Sequence, residues 1–207
     1  MFYEDNLNIL PIGIDEINEP FEISKILSGY NNNSDIFVCG KCHIKHFKSI
    51  IRHKLLNNSI IDNKKYHFNY KFIVDFYSDI NLDFNVYYDF FKLNENETSL
   101  KLYEDVKHFK IIFTHTKSSN KEINIDLNDY LNNDKYLIIC ANKNIYDDKH
   151  LKHNVAKKFI NIPIINYTTI IKNAKIIKVI DSCFACMILP LINRNILKTH
   201  DITIYNR

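Results

Sequence analysis

Three glycines and no tryptophan occur in 207 residues. Glycine this scarce leaves no G-x-G-x-x-G and no G-x-x-x-x-G-K-[ST], so dinucleotide-oxidoreductase and P-loop NTPase readings lose their support. No apolar run reaches the about 20 residues that cross a bilayer, and no membrane span is expected. Residues 1–19 carry acids early and lack the basic-then-apolar order of an export signal, which predicts a cytoplasmic protein (host cytoplasm if viral). Net charge is only +3. Lysines and acids are interspersed, with no basic stripe of the kind that binds a phosphate backbone, so nucleic acid is not expected as a partner. Five cysteines, an odd number without an export route, make no disulfide framework. Paired carboxylates, HExxH and a Ser-His-Asp order are missing too, which removes the common hydrolase readings.

What remains is the composition of an ordinary globular chain, 46% hydrophobic and 25% charged. Asn, Ile, Lys and Tyr are heavily used, a bias of the kind that AT-rich coding imposes. In the first half, residues 34–39 read as a strand, and 44–56 and 70–80 as amphipathic helices with apolar residues every three or four positions. Residues 85–93, rich in aromatics, are predicted as a strand. Residues 97–108 are predicted as a helix with acids in its first turn.

After that, strand and helix alternate. Strands are expected at Lys110–His115, 136–141, 175–180 and 201–205, and helices at 149–159, 167–173 and 183–192. Short apolar strands between helices call for a parallel sheet covered on both faces. The nearly all-apolar helix at 183–192 should be buried. The polar stretch 94–96 marks a boundary between two α/β halves, 1–95 and 96–207, the second a doubly wound, Rossmann-like, mainly parallel sheet.

In such sheets ligands bind beyond the carboxyl ends of the strands. Those ends here carry His115, Thr116, Lys117, Ser118 and Ser119, then Asn142, Lys143 and Asn144, then Asp181, Ser182 and Cys183. Ser182 falls at a helix N-cap beside unpaired backbone N–H groups and the positive end of the helix dipole, which suits a diphosphate. Lys117, Lys121 and Lys143 could add positive charge, and Asp181 could accept from a sugar hydroxyl. The plainer alternative is that Ser182 or Asp181 only caps the helix and His115 is a satisfied loop histidine.

Cys39-Gly-Lys-Cys42, with His43 and His46, has the look of a zinc knuckle, and Cys183 and Cys186 form a second C-x-x-C. Cys39 ends an apolar strand, however, and the second pair falls in an apolar helix, where Cys behaves as a small hydrophobe. No metal or other cofactor is expected.

The string Lys-Ile-Ile-Lys-Val-Ile-Asp-Ser-Cys-Phe-Ala-Cys at 175–186 resembles the strand-turn-helix near the C-terminus of GT-B glycosyltransferase-like proteins. These occur in giant viruses, phages and bacteria and are distantly similar to fucosyltransferases. Residues 174–184 follow their pattern A-x-x-I-x-V-I-D-S-S-F except at Cys183. The run F-I-N-I-P-I-I-N-Y at 159–167 resembles their F-V-N-L-P-I-F-D-Y, and 113–119 resembles their strand ending in a His-containing loop. Where the relatives carry an arginine in that loop, this chain has Lys117 and Lys121.

The resemblance implies two Rossmann-like halves with a nucleotide-sugar held by the C-terminal half, without metal. Ser182, Cys183, Lys117, Ser118 and Lys143 would lie at the donor diphosphate and Asn142 and Phe184 at the nucleotide, with His115 and Asp181 as catalytic candidates. The implied function is transfer of a sugar from a nucleotide-sugar donor to a glycan or other hydroxyl acceptor. The alternative is a non-enzymatic, host-modulating scaffold that binds another protein through aromatics such as Tyr87 and Tyr88.

Overall fold

A computed structural model describes residues 82–119, 121–199 and 201–206, together with Lys25, Ser28 and Tyr77. The strand expected at 34–39, the helices at 44–56 and 70–80 (helical Tyr77 apart) and the Cys39/Cys42 pair lie outside the described residues. The chain divides into two units, Met1–Val86 and Tyr87–Arg207, and the second holds nearly all of the described residues.

The elements run α1 (Asn85–Phe90), α2 (Glu97–Glu104), β1 (Lys110–His115), α3 (Asn128–Leu131), β2 (Tyr136–Cys140) and α4 (His153–Lys157). A 3-10 turn (Ile164–Tyr167), α5 (Thr168–Asn173), β3 (Ile176–Ile180), α6 (Cys183–Asn193) and β4 (Ile202–Tyr205) complete them. The strands form one all-parallel sheet in the order β2-β1-β3-β4. The four strand expectations after residue 109 therefore hold to within a residue or so at each end.

Both faces of this sheet are covered. Phe113 and its register partners Ile139 and Ile177 share one face. Tyr167 and Phe184 pack on it, with ring centroids 5.6 and 5.2 Å from Phe113. Tyr136 and Lys178 point to the other face, where the Tyr130 ring of α3 lies 5.1 Å from Tyr136 and beneath the Lys178 ammonium. Ile112, Phe113, Leu137, Ile138, Ile139 and Ile177 are fully buried, as β-branched and aromatic runs should be in a two-sided parallel sheet.

The outer edge of β2 is closed by side chains. Ile138 N–H donates to the Tyr146 hydroxyl at 2.9 Å, and the buried Lys152 donates to the carbonyls of Tyr136 and Asn133 at 2.8 and 2.7 Å. An edge blocked in this way offers little to a foreign strand.

Residues 85–93 do not form the expected strand. Asn85–Phe90 is a helix. Asp83 turns the chain into it, its carboxylate accepting Asn85 N–H at 2.8 Å and its carbonyl accepting Val86 N–H at 3.0 Å. Phe84, Tyr87, Tyr88 and Phe91 recur at three- and four-residue spacing, and Tyr87 meets Phe91 at 5.8 Å, so the aromatic pattern is helical. The segment after it is held by side chains and not by a ladder. Arg194 donates to the Phe91 carbonyl at 2.8 Å and Lys172 to that of Leu93 at 3.0 Å. Asn96 then caps α2, its side chain accepting Ser99 N–H at 2.7 Å. The Ser99 hydroxyl meets that of Thr169 at 2.8 Å, which joins α2 to α5 in the interior.

The helix expected at 149–159 is cut to His153–Lys157. Asp147 takes Lys149 N–H on its carboxylate at 2.9 Å and His150 N–H on its carbonyl at 3.1 Å, so a side-chain turn replaces the first helical turn.

Helix α6 keeps Pro190 inside it. Proline has no N–H for the carbonyl four residues back, which is that of Cys186. The Tyr87 hydroxyl donates to that carbonyl instead. Just past the helix, Asn195 has a φ of 53°, and its hydrogen bonds (Asn195 N to Ile192 O, Ile196 N to Leu191 O) make the left-handed stop that asparagine tolerates. Seven of its residues from Phe184 to Leu191 are buried, as expected, while Cys183 at its start is exposed.

Candidate functional site

The chain crosses from β1 to β2 in one direction, then passes back over β1 to reach β3 and β4. The order therefore reverses between β1 and β3. A crevice opens at such a switch point, beyond the carboxyl ends of the two strands, because their connections leave on opposite sides. His115 is the last residue of β1, and Asp181 and Ser182 follow β3 directly.

Here His115 Nδ1 and Ser182 Oγ lie 2.9 Å apart, a hydrogen bond between residues 67 positions distant in sequence. Ser182 is the N-cap of α6, extended at φ −156° and ψ −173°, yet its hydroxyl makes no capping bond. The hydroxyl that would ordinarily satisfy the first turn is given to the histidine. Ser182 thus gives the first-turn N–H groups of α6, at the positive end of its dipole, no bond from the N-cap side chain. Beneath the pair, Phe184 is buried with its ring 4.8 Å from His115 and 5.2 Å from both Phe113 and Tyr167. That aromatic shelf desolvates the imidazole and lowers its pKa to about 4, so His115 is neutral near pH 7. Phe184, expected at the nucleotide, is buried against the His115, Phe113 and Tyr167 rings.

The gap between β1 and β2 is built differently. Asn142, just past β2, accepts Thr116 N–H on Oδ1 at 2.9 Å, and its Nδ2 lies 3.1 Å from the Thr116 hydroxyl. Residues 116–118 and 121–123 pair back on each other as a small hairpin, with Ile123 N–H bonded to Thr116 O, Ser118 N–H to Lys121 O, and a bridge between Lys117 and Glu122. Ser118 is buried in that turn, its hydroxyl donating to Lys121 O at 3.1 Å. The hairpin brings Glu122 Oε1 to 2.8 Å from Lys143 Nζ and 3.4 Å from the Thr116 hydroxyl. The hydrogen-bonded Lys143 ammonium, helped by its charge and that of Lys117, holds the Glu122 carboxyl below its ordinary value.

The fold thus brings the predicted residues to one edge of the sheet, in two groups: His115, Asp181, Ser182, Cys183 and Phe184 at the β1–β3 gap, and Lys117, Ser118, Asn142 and Lys143 at the β1–β2 gap. Asp181 is half-buried, and its backbone N–H donates to Tyr205 O at 2.8 Å, tying the turn to β4. Burial of its sulfur raises the Cys183 thiol, although the residue as a whole faces solvent.

Two contributors escape sequence reasoning. Glu122 acts through a hairpin that no local propensity announces and that returns it to Thr116; the only hint is a lone carboxylate beside a lysine-rich loop. Tyr167, whose hydroxyl donates to Phe159 O and Ala141 O at 2.5 and 3.3 Å, supports the shelf and the end of β2. Burial pushes it up to about 12.

Among the described residues no group of three or more His, Cys, Asp or Glu gathers as a metal site, and no helix is long and apolar enough to cross a membrane. No family model, no curated protein and no solved structure matches the chain.

Proposed function

We propose that this chain is a glycosyltransferase of GT-B type, with the described sheet as its nucleotide-sugar half, passing a sugar to a hydroxyl acceptor without a resident metal. The observation that carries the reading is the His115–Ser182 hydrogen bond at the switch point, which sets a neutral imidazole beside a helix N-terminus whose N-cap hydroxyl is turned to the histidine. The helix end and the Ser182 hydroxyl suit the diphosphate that leaves, where stabilising developing negative charge speeds the reaction. Lys117 and Lys143 stand at the same edge of the sheet to add to it. Asp181 would accept from a sugar or ribose hydroxyl.

His115 is the general-base candidate. Alone, its pKa of about 4 makes it a weak base. A bound diphosphate places negative charge nearby and raises that pKa toward neutrality, so the donor would prepare the base for the acceptor's proton.

The test is thermal-shift and calorimetric titration of the full chain with nucleoside diphosphates and their sugars. A nucleotide-dependent rise in melting temperature that Ser182→Ala reduces is expected. If no nucleotide shifts the melting temperature, the donor-site reading is wrong.

A non-enzymatic interaction scaffold is favoured by one observation, the exposed apolar side chains of Phe90 and Leu151. Tyr87 and Tyr88, the aromatics that the sequence offers for that role, are buried. Isolated exposed apolar residues are common on soluble proteins, so this reading ranks second.

A further inference from the structure

We infer that Glu122 is a built-in competitor for the anion site: its carboxylate occupies the cationic corner between the β1 and β2 loops until a ligand's phosphate oxygens displace it. The inference rests on the proposed reading of these strand ends as a diphosphate site. Glu122 Oε1 gathers the Lys143 ammonium at 2.8 Å and the Thr116 hydroxyl at 3.4 Å, and the Lys117 charge adds to the field on the same carboxyl. A cation and a hydroxyl converging on one oxygen, with a second positive charge in the same field, are what a phosphate oxygen would find there. The other exposed ion pairs of the described chain are simpler. Glu104–Lys107 spans one turn after α2, and Asp105–Lys158 joins single partners at 3.4 Å.

The hairpin explains how Glu122 can leave without unfolding anything. The turn is held by backbone hydrogen bonds (Ile123 N to Thr116 O at 2.9 Å, Ser118 N to Lys121 O at 2.7 Å), and the two loops remain joined through Thr116 and Asn142. Only the Glu122 side chain has to rotate. Its pair with Lys143 is about half exposed, with side-chain exposures of 48% and 41%. Exposed pairs of this kind are weak, so displacing Glu122 lowers ligand affinity by no more than about fivefold. A diphosphate, with more charge than one carboxylate, can overcome that. The arrangement keeps the Lys143 ammonium paired until a ligand arrives and admits polyanions in preference to single carboxylates.

The test is calorimetric titration of inorganic pyrophosphate into the full chain, its Glu122→Gln variant and its Lys143→Met variant. Glu122→Gln should tighten pyrophosphate roughly two- to fivefold, Lys143→Met should weaken it, and the double variant should bind no better than Lys143→Met alone. Unchanged or weaker binding by Glu122→Gln overturns the inference. Nucleotides separate it from the reading beneath it. If Glu122→Gln tightens pyrophosphate while no nucleoside diphosphate binds, the transferase reading falls and the competitor stands. If nucleoside diphosphates bind and Glu122→Gln leaves their affinity unchanged, the competitor alone falls. If pyrophosphate binds to none of the three proteins, the competitor falls, and the transferase reading stands or falls with nucleotide binding.

Discussion

The two gaps that flank β1 are made from the same kind of sequence, a polar loop after an apolar strand, yet they differ in construction. Between β1 and β3 the contact is neutral, half-buried and backed by the Phe113, Tyr167 and Phe184 rings. Between β1 and β2 it has two layers, a neutral Thr116–Asn142 link under a charged, exposed Glu122–Lys143 link. The first gap is held in one geometry by packing, which is how groups that do chemistry are kept in place. The second is fixed below and rearrangeable above, which suits a group that must let a ligand in.

Replacing His115 should break the first gap most severely. His115→Ala removes the base candidate and leaves Ser182 without its partner. On the transferase reading, turnover should fall by about 10²–10⁴-fold, measured as nucleotide released. A second readout needs no substrate. The folded pKa of about 4 lies below the ordinary 6.5, so between those values the unfolded chain binds the proton and the folded one does not. The resulting stability is present above about pH 6.5 and is lost as the pH falls toward 4. His115→Asn should flatten that part of the urea-midpoint profile. An unaltered slope would mean that the histidine titrates normally and that the shelf does not desolvate it.

The second gap should break at its neutral layer. Asn142→Ala strands the Thr116 backbone N–H and loosens both loops, and it should cost about 1–3 kcal/mol in urea unfolding. A loss below about 0.5 kcal/mol would show that water replaces the amide at no cost, and the distinction between layers would disappear.

How much of this was legible beforehand depends on where each element's determinants lie. β1, β2 and β3 carry runs of Ile, Val, Leu and Phe whose burial on two faces is written in their own composition, and they appear where expected, as does the edge strand β4, which buries only Ile204. Residues 85–93 misled because their aromatics suit a strand by propensity, whereas Asp83 and the spacing of Phe84, Tyr87, Tyr88 and Phe91 select a helix. The candidate site was legible as a set of loops. Its internal pairing was not: the His115–Ser182 bond depends on β1 and β3 being sheet neighbours, which crossover topology decides. Glu122 was missed because it matters only after a hairpin returns it to Thr116.

The smallest expected effect is the sharpest check of the contrast. Lys143→Met breaks the charged layer, removing an ion pair at 2.8 Å that looks as good in geometry as any contact in the site. Because both partners are largely hydrated, the change in unfolding free energy should stay within about 0.5 kcal/mol at moderate salt. It should shrink further as salt is raised, since exposed charges are screened over about 10 Å at 0.1 M. Stability loss comparable to that of Asn142→Ala, and indifferent to salt, would make Lys143 part of the frame. The upper layer would then be as rigid as the lower one, and Glu122 would not be free to give way to a ligand.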